Sequence, residues 1–77
     1  MQKIRHDTQF GANIRMLRKS CKLTQGQVIT QMQLMGHNIS RETYAKIESG
    51  IANIKVSELL ALKKIFRVEL DDFFKNI

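Results

Sequence analysis

Proline is absent from this chain, tryptophan is absent, and cysteine occurs once, at Cys21. A single cysteine excludes an internal disulfide framework and fits a reducing compartment. No apolar run approaches the roughly 18 residues that a membrane span requires. The opening Met1–Asp7 contains no apolar stretch of the kind a signal peptide carries. Together these absences lead us to expect a cytoplasmic protein with no membrane contact. Glycine occurs only four times and never in a phosphate-cradling loop, and no alternation of apolar and polar residues lasts long enough for a strand. The only adjacent carboxylates, Asp71 and Asp72, sit where a helix begins. His6, His37 and Cys21 match no zinc spacing, and no histidine or acid stands near Cys21 in sequence to activate it. The expectation is therefore no enzyme, no metal, no cofactor and no small-molecule substrate.

Acid is scarce in one half of the chain. Residues 1–50 hold eight basic residues against Asp7, Glu42 and Glu48, and no acid lies between Asp7 and Glu42. Residues 51–77 carry five basic and four acidic residues, so most of the formal net charge of +6 belongs to the first half. A positive half beside a near-neutral half suggests one face for a polyanion, held through counterion release from phosphates; charge that serves only solubility is the plainer alternative. The composition, 43% hydrophobic and 26% charged over 77 residues, is that of one folded domain spanning 1–77.

Helical periodicity runs throughout. Phe10, Ile14, Leu17 and Cys21 share one face of a first helix over about Thr8–Lys19, with Asp7 or Thr8 as its cap. Thr24-Gln25-Gly26-Gln27 has the form of a capping box, in which the Thr24 hydroxyl accepts from the third backbone N–H while Gln27 reaches back. Val28, Ile29, Met32 and Met35 supply the inner face of that second helix, and Gly36-His37-Asn38 end it. Met16, Met32 and Met35 are read as core or near-core residues at helical spacing. Ser40 caps a third helix through Ser49, with Gly50 at its C′ position and Tyr44 and Ile47 turned inward. Ile51–Ile54 connect to a fourth helix marked by Val56, Leu59, Leu60, Leu62, Ile65 and Phe66. A short final helix holds Leu70, Phe73 and Phe74. The fold expected is all-α, a compact bundle of four to five short helices.

The informative segment is 24–50. The outer face of the third helix reads Arg41, Glu42, Thr43, Ala45, Lys46, side chains able to address base edges from the major groove. Arg donates twice to guanine, Glu accepts from cytosine, and methyl groups suit thymine. Glu42 is also readable as a solvated helix residue. Thr24 and Gln25 at the start of the second helix suit phosphate, and Arg15, Lys19, Asn53 and Lys55 complete the candidate phosphate contacts.

These residues carry a resemblance. Phe10-Gly11, Ile14-Arg15, Leu17-Arg18-Lys19, Leu23-Thr24-Gln25, Ile39-Ser40-Arg41, Lys46-Ile47-Glu48-Ser49-Gly50 and Leu70-Asp71-Asp72-Phe73-Phe74 resemble the phage-repressor and Cro-like (XRE-type) helix-turn-helix family of bacterial transcriptional regulators. The resemblance implies a lambda-repressor-like DNA-binding domain. It implies phosphate contact at Thr24 and Gln25, base reading by Ser40, Arg41, Glu42, Thr43 and Lys46, and a buried structural ion pair between Arg18 and Glu48. Three departures stand out. Seven residues separate Met32 from Ser40 where the compact motif has a tight turn, so Gln33–Asn38 should lengthen the second helix and loosen the turn. Ile54 stands where proline is frequent, which makes the connector less rigid. Lys55 and Glu69 stand where small hydroxyl caps are usual, which weakens two helix starts.

Phe73, Phe74 and Ile77 crowd the end of the sequence. A small core holds one such aromatic fully, and the excess suggests a dimer contact. The expected partners are double-stranded DNA and a second copy of the chain, and the expected function is that of a sequence-specific regulator, a repressor, located on the nucleoid. The alternative is a protein-interaction module, such as an antitoxin-like domain, with DNA binding secondary.

Overall fold

The computed structural model describes residues 6–76, with side chains from Thr8 onward. Four α-helices follow one another, α1 (His6–Ser20), α2 (Gln25–Leu34), α3 (Arg41–Glu48) and α4 (Val56–Phe66), and a 3₁₀ helix (Leu70–Phe74) ends the described chain. No strand occurs among the described residues. Helix α1 is already helical at His6, so Asp7 and Thr8 lie inside it and do not cap it.

Side-chain and backbone groups that a helix leaves unpaired decide where these elements start and stop. At the start of α2 the Gln27 N–H donates to Thr24 Oγ1 at 3.1 Å, and the Thr24 N–H donates to Gln27 Oε1 at 2.8 Å, a complete capping box. Helices α1, α2 and α3 all close in the same way. The N–H groups of Leu23, His37 and Ile51 return to the carbonyls of Arg18, Met32 and Lys46, with Lys22, Gly36 and Gly50 at positive φ in between. The Gln33–Asn38 segment therefore lengthens α2 only to Leu34. The turn after it is hydrogen-bonded and anchored by the buried Ile39, so it is closed where a loose one was expected.

Lysine supplies no acceptor at the start of α4, as expected for Lys55. Glu58 makes up half of that loss by accepting from the Lys55 N–H at 2.9 Å, and Asp72 does the same for Glu69. Helix α4 ends on Arg67 at φ 58, left-handed backbone that costs a residue with a Cβ about 1–2 kcal/mol. Arg67 is exposed and far in sequence from the candidate interface. Arg67→Gly should raise the unfolding free energy by about 0.5–1 kcal/mol, read as a higher urea midpoint with an unchanged slope.

The core gathers Ile14 from α1, Val28, Ile29 and Met32 from α2, Ile39, and Tyr44 and Ile47 from α3. Ala61, Leu62 and Phe66 come from α4, with Phe73 from the 3₁₀ helix. Phe10, Leu17 and Cys21 pack against it, and the Cys21 thiol donates to the Phe66 carbonyl at 3.5 Å. Three methionine and branched positions depart from expectation. Met16 and Met35 are exposed, since Met16 is on the outer side of α1 and Met35 is the C-cap of α2, and only Met32 is core. Val56 also faces outward.

Asn13 is a core residue that periodicity did not single out. It is buried, its Nδ2 donates to the carbonyls of Phe73 and Lys75 at 2.9 Å each, and its Oδ1 accepts from Gln9. This amide ties the end of the described chain to α1, so Phe73 plugs the core under it. Phe73 is fully buried and offers no surface to a partner, which corrects its assignment to a dimer contact. Phe74 is half exposed, but its ring lies 5.2 Å from that of Phe10, an intramolecular aromatic pair. Ile77, the third residue of that assignment, lies outside the described residues.

Candidate nucleic-acid interface

Two short helices and the turn between them place the polar residues singled out by the sequence. Ser40 caps α3. Its Oγ accepts from the Thr43 N–H at 3.1 Å and donates to Thr43 Oγ1 at 2.9 Å. The Ser40 hydroxyl is thus engaged in holding the helix start, and Thr43 keeps its own hydroxyl proton for an outside acceptor. Arg41, Glu42, Thr43 and Lys46 are all exposed on α3, while Tyr44, Ile47 and Glu48 on its other side are buried. Glu42 and Lys46 form an i,i+4 pair at 3.5 Å that is open to water and contributes a few tenths of a kcal/mol, about 0.3–0.5, in such settings.

The start of α2 lies beside this helix. Arg41 Nη1 is 3.9 Å from the point where a Cβ on Gly26 would stand, so the guanidinium rests against the first turn of α2. The N–H groups of Gln25 and Gly26 are among those a helix start leaves unpaired. Arg15, Gln25, Ala45 and Ser49 line a cleft of about 210 Å³ where α1, α2 and α3 meet, which brings Arg15 to the same corner. Lys19 stands one turn further along α1, on a neighbouring groove that Arg15 also lines. Asn53 and Lys55 are exposed on the connector that follows α3.

Beneath these residues the Arg18–Glu48 pair locks α1 to the end of α3. Arg18 Nε donates to Glu48 Oε2 at 2.8 Å and Nη2 donates to Oε1 at 3.1 Å, a two-pronged contact between buried side chains. Its third nitrogen, Nη1, donates to the Leu23 carbonyl at 2.9 Å and so also holds the turn before α2. Gln25 Nε2 donates to Glu48 Oε1 at 3.1 Å. Gln25 therefore spends one amide proton inside the protein and keeps a second for an outside acceptor, a role that its place at a helix start did not disclose. Hydrogen bonding to Glu48 holds the Arg18 guanidinium above its ordinary pKa. Burial works against the Glu48 charge, but the hydrogen bonds it receives from Arg18 and Gln25 outweigh burial and hold its carboxyl below the usual range. Tyr44 Oη is buried beside this pair with no hydrogen-bond partner. Burial and then the Glu48 carboxylate push its phenol well above its ordinary value, so it stays neutral.

Gly11 is the residue whose importance was least visible. A Cβ there would stand 2.5 Å from the Glu48 carbonyl oxygen and 2.6 Å from that of Ile47. Helix α1 crosses the end of α3 backbone against backbone, and only a residue without a side chain permits it. The prior signs were its place in the Phe10-Gly11 pair of the family resemblance and its position inside a helical pattern, where glycine calls for a packing reason.

Among the described residues no group of histidine, cysteine and acidic side chains is arranged to hold a metal, and no helix is long and apolar enough to cross a membrane. A family model described as helix-turn-helix matches residues 14–73. The chain belongs to that family, the XRE-type, Cro/CI-like helix-turn-helix proteins, and its all-helical architecture is the lambda-repressor-like fold. It is a DNA-binding regulator of the helix-turn-helix class. No curated protein and no solved structure gave a match.

Proposed function

We propose that this chain is a sequence-specific transcriptional regulator that inserts α3 into the major groove, binds its sites as a homodimer and represses by occupying them. The observation that carries the reading is the exposed row Arg41, Glu42, Thr43 and Lys46 on α3, set beside the capped start of α2. Arg41, Glu42, Thr43 and Lys46 read bases, with Ser40 fixing the helix start. The N-terminal turn of α2, Thr24 and Gln25, takes a phosphate, and Arg15, Lys19, Asn53 and Lys55 follow the backbone on either side. Bound in this way, the protein resides on the nucleoid.

Titration of a labelled mixed-sequence duplex at two salt concentrations tests the phosphate surface. Affinity should fall with salt along a slope of about −0.9 per phosphate contacted. Absence of binding at low salt would remove DNA as the ligand and turn attention to a protein partner. On a selected site, Arg41→Ala should cost about 1–3 kcal/mol and relax preference at one base pair. Because its guanidinium also lies against the start of α2, an equal loss on every sequence would make Arg41 a phosphate contact instead.

A further inference from the structure

We propose that the ends of α1 and α4 form a second basic site, built around Lys22 and Arg67, which takes backbone phosphates of the duplex outside the stretch covered by α2 and α3. The proposal rests on the DNA-binding reading above. Helix α4 ends as the other three do, with the Val68 N–H returning to the Lys63 carbonyl at 3.2 Å across a residue at positive φ. At α2 and α3 that residue is Gly36 or Gly50; at α1 and α4 it is a cation, Lys22 at φ 59 and Arg67 at φ 58. A Cβ makes left-handed backbone costly. The helix dipole does not account for the choice, because its gain is smaller than the strain. It is also served already by unstrained cations in the last turns, Arg18 and Lys19 on α1 and Lys63 and Lys64 on α4. Strain kept at two exposed positions points to a use for the charges placed there.

The fold brings the two strained cations together. The Cys21 thiol donates to the Phe66 carbonyl at 3.5 Å across 45 residues of chain, and Lys22 and Arg67 are the residues that directly follow. Lys64, one turn before Arg67, is exposed with them. Among the described residues Lys22, Lys64 and Arg67 make no ion pair, although Glu69 stands two residues beyond Arg67. Like charges gathered in this way repel one another until a polyanion covers them. The position selects the polyanion. Lys22 is two residues before Thr24, so its Cα lies within about 7–8 Å of the residue proposed to take a phosphate at the start of α2. Lys22, Arg67 and Lys64 therefore carry the phosphate track of Lys19, Thr24 and Gln25 onward. The next anions along that track are those of the same duplex, which bears a phosphate about every 3.4 Å along each strand.

The test places one site, selected from random duplexes, in a short duplex that ends at its edges and in a long one extended by about ten base pairs, one helical turn, on each side. Affinity for both is measured over a range of salt. The wild type should bind the long duplex more tightly, with a salt slope steeper by about 0.9 for each added phosphate. Lys22→Gly and Arg67→Gly should each weaken binding to the long duplex about three- to tenfold and lower its slope by about one, leaving the short duplex unaffected. Thermal melting of both variants should be unchanged or raised, because the strain is relieved; a site that served only the fold could not lose affinity while gaining stability. Arg67→Lys should bind as the wild type does. Lys75→Gln removes the same charge at the other end of the chain and should have no effect on the difference between duplexes. The proposal is overturned if the wild type ignores the flanks, if the glycine variants weaken both duplexes equally, or if Lys75→Gln matches them. Capture of a second duplex by the Lys22 and Arg67 site, seen as two duplexes per protein in sedimentation, also overturns it. In those cases the short duplex is still bound and the DNA reading stands; a wild type that binds neither duplex overturns both.

Discussion

Glu48→Ala should destabilise the protein by about 3–5 kcal/mol, because it leaves the buried Arg18 guanidinium without its partner. For a chain of this length the whole unfolding free energy is on the order of 4–11 kcal/mol, so the variant should be largely unfolded well below the wild-type melting temperature. The loss extends beyond one pair, since Glu48 accepts from both Arg18 and Gln25 and Arg18 also holds the Leu23 carbonyl. Chemical denaturation followed by circular dichroism measures it. The double variant Arg18→Leu/Glu48→Leu removes both charges and should recover much of the loss, as buried pairs replaced by apolar groups often do. A double variant as unstable as Glu48→Ala would show that hydrogen bonds to the neighbouring backbone, and not the stranded charge, dominate. The pair also gives stability a pH dependence of known sign. The folded carboxyl of Glu48 lies below its ordinary value, so its contribution is complete at neutral pH. It is lost as pH falls from the ordinary carboxylate range through the lower folded value.

Gly11→Ala should rank close behind. Its Cβ would meet the carbonyl oxygens of Glu48 and Ile47 and the Glu48 carbonyl carbon at 2.5, 2.6 and 2.9 Å. These are backbone atoms of a helix end and cannot rotate away, so α1 and α3 must separate, at a cost of about 2–3 kcal/mol. Moving α3 also displaces the row of side chains it presents, and DNA affinity should fall on every sequence. The same substitution at Gly26 meets nothing closer than 3.9 Å, from Arg41 Nη1 and Thr24 Oγ1. Gly26→Ala should be neutral or gain up to about 1 kcal/mol from helix propensity. Measured side by side, the melting temperature should fall for Gly11→Ala and hold or rise for Gly26→Ala; parallel losses would mean that the crossing at Gly11 is not the cause.

Local rules made much of this architecture readable. The capping box at Thr24 and Gln27, the Ser40 cap and the Gly50 ending each depend on neighbours within a few positions, and each appears as the residue types require. The 4-3-4 spacing of Phe10, Ile14, Leu17 and Cys21 gave the inner face of α1 for the same reason. What escaped depends on partners distant along the chain. Gly11 matters because of two carbonyls 36 and 37 residues away, Asn13 because of carbonyls 60 and 62 residues away, and Gln25 because of Glu48. Helical spacing alone also could not tell Phe73 from Phe74. The 3₁₀ winding of that segment turns the first under Asn13 and sends the second out against Phe10. For the candidate interface the residue types were legible in α3, but the nearness of Arg41 to Gly26 was not, since it follows from how α2 and α3 pack.

Asn13 gives the protein an order of completion. Its amide donates to residues 73 and 75, so during synthesis the first helix has no lasting partner for that buried group until nearly all of the described chain has been made. A buried amide without its acceptors costs about 1–3 kcal/mol, a large share of what a small domain has to spare. Helices α1 to α4 can form and pack earlier, but the Asn13 amide finds its acceptors only when Phe73 and Lys75 arrive. That buried group is satisfied only at this step, so the nascent chain closes its core around α1 only after residue 75 has been made.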